Sequence, residues 1–97
     1  MQVTHIAASG LQAAQQRMHA SAHNTANLQT EDFDRHAVQQ QAREQGGVDA
    51  RTVTQAQEVS AQQEVVEQIS ASYAYLANLQ VLRTDDRMRG SLLDEHV

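Results

Sequence analysis

The sequence predicts an all-α fold: two long helices, one at each end of the chain, forming a helical hairpin or coiled coil joined by a short polar loop or a small β-hairpin. Three observations lead there. Apolar and small residues recur at alternating spacings of three and four near both ends, the period of a helix seam. The 97 residues include no proline, and alanine and glutamine are the commonest residues, so nothing interrupts a long helix. No cysteine is present, which excludes a disulfide framework.

The first helix is read over residues 4–28. Thr4, Ala7, Leu11, Ala14, Met18, Ser21, Thr25 and Leu28 form a heptad stripe of mostly small side chains, which would let a partner backbone come close. Gln12, Gln15, Gln16 and His19 are assigned to the solvent side. Gly10 costs about 1 kcal/mol in a helix relative to alanine, so close packing or a local bend is expected there.

The segment Ser21 to Phe33 is the exit. Asn24 and Asn27 compete for backbone hydrogen bonds and tolerate the left-handed conformation that closes helix ends, so both are read as terminators. Residues 29–58 are assigned to a loop or linker. Within it Phe33 is the sole aromatic anchor, and Gly46-Gly47 is the strongest turn signal, with VQQQARE and VDARTVTQ as candidate hairpin arms.

The second helix is read over residues 59–93. Val59, Val66, Ile69, Tyr73 and Leu76 share one stripe, while Tyr75, Leu79, Leu82 and Leu93 drift around the axis. An apolar girdle that wanders in this way asks for more than one neighbour. Tyr73 and Tyr75 lie about 200° apart on a helix, so one is expected to face the first helix and the other a different partner.

Charge and motifs narrow the function. The net charge is −5, with seven arginines and no lysine, which gives no basic surface for nucleic acid or anionic membrane. No apolar run is long enough to span a bilayer, and a cleavable signal peptide is not recognised. Phosphate loops, nucleophile elbows and Cys/His nucleophile patterns are missing, so no enzyme is expected. His19 and His23 stand four apart, a spacing able to place two imidazoles on one metal, but no third ligand accompanies them. Neither a metal nor a cofactor is therefore expected. Asp85, Asp86, Arg83, Arg87 and Arg89 are read as helix-surface charges, and Asp94-Glu95-His96 as a solvated tail.

Two stretches carry a family likeness. SGLQAAQQRMHASAHNTANLQTEDFDR, Ser9 to Arg35, resembles the N-terminal motif of bacterial flagellar rod and hook proteins: an SGL-x-AA-x-x-R start, an ANN-x-AN core and an NT-x-GF-x-R exit. AQQEVVEQISASYAYLANLQVLRTDDRMRGSLLD, Ala61 to Asp94, resembles the C-terminal helix of that family, with an EE-x-V opening, an AY-x-AN centre and a TAD-x-M-like close. Leu11, Ala14, Arg17, Ala22, Asn24, Ala26, Asn27, Thr30, Phe33 and Arg35 fall on motif positions in the first stretch. Glu64, Val66, Ala74, Tyr75, Ala77, Asn78, Thr84, Asp86, Met88 and Leu92 do so in the second. The chain departs from the pattern at His23, Thr25 and Asp32, where a second Asn, an apolar residue and a Gly are usual.

The resemblance, nearest to the small proximal-rod proteins, implies a structural subunit of the basal-body rod in the periplasm. Such a subunit would be exported by the flagellar type III apparatus without a cleaved signal, and would assemble with itself and other axial proteins through its terminal helices. The expected assembly interface is Leu11, Ala14, Met18, Asn24, Asn27, Phe33, Val66, Ile69, Tyr73, Tyr75, Leu76, Asn78, Leu79 and Leu82. The alternative is a soluble helical homo-oligomer or adaptor that keeps rod-like ends without a rod role.

Overall fold

A computed structural model describes the backbone of residues 2–95 and the side chains of residues 3–91. The side chains of residues 92–95 and the whole of His96, and with them the Asp94-Glu95-His96 tail as a solvated segment, lie outside the described residues. The element order is α1 (Gln2–Ala26), β1 (Arg35–Ala42), β2 (Val48–Gln55) and α2 (Ala61–Glu95).

The chain is therefore α+β, with a two-stranded antiparallel sheet between its helices, and not the all-α hairpin expected from the periodicity. The strands pair over their full length, from Arg35 opposite Gln55 to Ala42 opposite Val48. Gln39, Gln40 and Gln41 give β1 little intrinsic strand preference, and a lone two-stranded hairpin is marginal in water. What holds it is α1. The Asn24 amide brackets the start of β1, donating from Nδ2 to the His36 carbonyl at 2.8 Å and accepting the His36 N–H on Oδ1 at 2.7 Å. At the other end, the Val48 N–H donates to Ser9 Oγ at 3.0 Å. The intervening turn needs Gly46 and Gly47, at φ +96° and +91°, because a side chain disfavours that region. It also needs them bare, since a Cβ on Gly47 would stand 2.7 Å from Ser9 Oγ.

The two helices run antiparallel. Thr4 meets Asp85, with Thr4 Oγ1 donating at 3.1 Å. Arg17 reaches Glu67 and Ser70, and Ser21 reaches Glu64. The buried apolar core consists of Ala7, Ala13, Ala14, Ala20 and Ala71, small enough to let backbones approach. Gly10 marks the closest approach: a Cβ there would fall 2.6 Å from Asn78 Nδ2, so close packing and not a bend accounts for it. Gln16, assigned to solvent by its spacing, is half-buried, and its Oε1 has no hydrogen-bond partner among the described residues.

α1 closes in a tightened turn, with the Asn27, Leu28 and Thr30 N–H groups bonded three residues back. Asp32 follows at φ +59°, the left-handed conformation that Asp tolerates better than most side chains. Ser60 caps α2, accepting the Gln63 N–H on Oγ at 3.5 Å. The molecule measures 63 × 25 × 14 Å.

Candidate functional site

Two faces of the helix pair carry different chemistry, and the split begins on α2. Glu64, Ala71, Asn78 and Asp85 recur every seven residues, and each meets α1: Glu64 by Ser21 and Asn24, Asn78 by Gly10, Asp85 by Thr4, with Ala71 wholly buried. Val66, Ile69, Tyr73 and Leu76 lie on the opposite side of the same helix.

The inner face is clamped by charge. Glu64 is 1% exposed and Asn24 is fully buried. Arg35 Nε donates to Glu64 Oε2 at 2.7 Å, and Asn24 Nδ2 donates to Glu64 Oε1 at 3.1 Å. Ser21 Oγ adds a bond to the Glu64 carbonyl at 3.1 Å. A buried ion is tolerated only when paired and hydrogen-bonded, and here both carboxylate oxygens have partners. One carboxylate thus joins α1, β1 and α2. A second, more exposed tie lies one helical turn along, where Arg17 Nε meets Glu67 Oε1 at 2.7 Å and Nη2 meets Ser70 Oγ at 2.7 Å.

The outer face is apolar and open. Val65, Val66, Ile69, Tyr73 and Leu76 are between 52% and 70% exposed. Five large apolar side chains side by side on one helix form a contiguous patch.

The structure thus separates the residues named as an interface. Ala14 and Asn24 are buried inside the subunit. Leu11, Met18, Leu79 and Leu82 are half-buried, with the Met18 sulfur 3.9 Å from Ser72 Oγ. Tyr75 lies in the groove shared with Gln15, Met18, His19 and Ala22 on α1, while Tyr73 points away. Asn78 donates back to the Ala74 carbonyl at 2.8 Å as it abuts Gly10. Asn27 bonds the His23 carbonyl and Thr30, closing the helix. Asn24, three residues earlier, joins that closing turn through its carbonyl, while its side chain holds the strand. Phe33 stacks on His36 at 5.5 Å between centroids and meets His23 at the same separation.

That last cluster also places His23. It faces the His36 ring at 4.6 Å, and among the described residues no group of three or more His, Asp or Glu side chains is set to hold a metal ion. Nor is any described helix long and apolar enough to cross a membrane. A cleft of about 550 Å³ lies between residues 27–34 and 56–59. It is lined by Glu31, Asp32, Asp34 and Glu58 with Leu28, Phe33 and Val59.

Sequence reasoning placed Arg35 and Glu64 only as motif positions and did not pair them. The signal lay in the stripe itself: a glutamate on the face of α2 that opposes the apolar seam is one that the fold must satisfy. Searches against protein-family models and against curated proteins find no match for the chain.

Proposed function

We propose that the protein is a structural subunit of the flagellar rod type, which assembles through the outer face of its helix pair. The observation that carries this reading is the exposed seam of Val66, Ile69, Tyr73 and Leu76 on a helix whose inner face is already filled. A chain meant to stay alone would bury or charge such a seam. Surface area supports it: the chain exposes 7156 Å², against roughly 5,500 Å² for a compact monomer of 10.7 kDa.

The flagellar part of the reading rests on the two motif stretches, and the packing supports it residue by residue. Arg17, Asn24, Arg35 and Glu64 fall on motif positions and form the hydrogen-bonded ties between α1, β1 and α2, while Asn78, on another motif position, packs against Gly10. A motif whose polar residues lock the two terminal segments together would serve a subunit that must present both helices at a fixed angle to its neighbours.

Fractionation of the cells that make the protein tests the reading. A tagged copy should co-purify with detergent-extracted hook–basal bodies and vanish from that fraction when residues 4–28 are deleted. Recovery of all the protein in the soluble fraction, with basal bodies intact and free of it, would overturn the rod assignment.

A further inference from the structure

We infer that, before assembly, the outer face of α2 is covered by a second copy of this chain laid antiparallel, in a closed two-fold dimer; this rests on reading that face as an assembly surface. Val66, Ile69, Tyr73 and Leu76 are spaced three, four and three, a pattern that reads the same in both directions. With the two-fold axis opposite Ala71, Val66 faces Leu76 of the second copy and Ile69 faces its Tyr73, and the same two layers repeat across the axis. Each layer sets a larger side chain against a smaller one, the arrangement that fills space between facing helices. A parallel pair in register would stack Tyr73 on Tyr73 and leave Val66 facing Val66.

Charge favours the same direction. From Val65 to Gln80 the outward positions carry no charge, because Glu64 and Glu67 turn inward to Arg35 and Arg17. Beyond the seam, Arg83 has no ion-pair partner among the described residues, and neither has Glu58. In the antiparallel pair Arg83 reaches just past the start of the second copy's α2, where Glu58 lies in the loop that precedes Ala61. In a parallel pair it would face its own copy, a like-charge contact. Antiparallel helices also set their dipoles favourably.

The area suffices. The five exposed apolar side chains and their small neighbours offer roughly 600 Å² per copy, so the pair buries about 1,200 Å², the lower end of specific interfaces. α1 and the hairpin lie on the far side of α2 and do not obstruct the approach. Because a two-fold contact uses the same patch on both partners, it closes and cannot grow. Polar assembly would have to exchange the second copy for axial neighbours.

The native chain has no cysteine, so single cysteines report contacts without background. We expect Val66→Cys and Leu76→Cys to stay unlinked when oxidised separately and to form a heterodimeric disulfide when mixed, on protein that sediments as a dimer and as nothing larger when concentrated. Tyr73→Arg, at a site 70% exposed, should keep its helicity and weaken the dimer by ~30-fold or more, as loss of a central aromatic anchor does. Self-linking of Val66→Cys, a monomer, or species that grow with concentration would each overturn the antiparallel dimer. Basal-body fractionation reads the rod assignment separately, so either idea can fail alone.

Discussion

At the scale of single residues, the Glu64 carboxylate holds three elements together, and its removal tests that. Glu64→Gln keeps the shape and the bond from Asn24 but leaves the guanidinium of Arg35, 9% exposed in its side chain, without a counter-charge. Breaking one half of a buried pair costs about 3–5 kcal/mol, which for a domain of this length is a fall of ~10–20 °C or more in melting midpoint. Circular dichroism melts should show it, and the double change Arg35→Met with Glu64→Leu should recover most of the loss. An unshifted single variant would mean that the pair contributes nothing. Gly10 offers a second test because two effects oppose there. Helix propensity alone predicts that Gly10→Ala stabilises by about 1 kcal/mol, whereas the Asn78 amide fills the space. The substitution should therefore destabilise the native chain and stabilise an Asn78→Ala background, a sign reversal that a double-mutant cycle measures directly. Gly10 was legible as a site of strain or closeness from its place mid-helix. The role of Asn24 was not, since an asparagine near a helix end looks like a terminator until its partner forty residues away is known.

At the scale of elements, the helices were legible because their spacing is long and regular, while the sheet was read only as an alternative to a loop, and the reason is physical. The strand RHAVQQQA has no alternation of apolar and polar residues, and the sheet's hydrogen-bonding anchors, Asn24 for β1 and Ser9 for β2, belong to another element. Tertiary contacts override a weak local preference. The Gly46-Gly47 turn was the clearest sign of the sheet, because positive φ leaves a signature in residue type, and the arms VQQQARE and VDARTVTQ were named around it only as an alternative to a loop. That turn supplies the element-scale prediction. Gly47→Ala meets both a disfavoured backbone and the Ser9 hydroxyl, at a cost on the order of 1–3 kcal/mol. The loss should be local. Hydrogen exchange should quicken at the Val48 amide and along β2, while amides of α1 and α2 around Ala14 and Ala71 keep their protection. Uniform loss across all four elements would show instead that the hairpin and the helix pair unfold as one unit.

At the scale of the whole molecule, shape decides what the core can do. The radius of gyration is 17.2 Å, against about 13 Å for a compact chain near this length. A molecule this thin has a core of alanines and ion pairs, and many of its large apolar residues lie outside. The wandering girdle of α2 announced that in the sequence, although which stripe faced α1 could not be told from spacing: the candidate seam was Val66 to Leu76, and the face chosen was Glu64 to Asp85, because only small or hydrogen-bonding side chains fit against the alanines of α1. Such a molecule should draw part of its stability from neighbours. Anything that binds the folded chain and not the unfolded one raises apparent stability by mass action, so the melting midpoint of the native protein should climb as its concentration rises, by several degrees over a hundredfold range. Ile69→Asp, which places a charge in the middle of the outer seam without touching α1, should make the midpoint independent of concentration and equal to the value that the native chain approaches on dilution. A native midpoint that ignores concentration would mean that the seam is uncovered in solution, and that the helix pair stands on its alanines and its buried carboxylate alone.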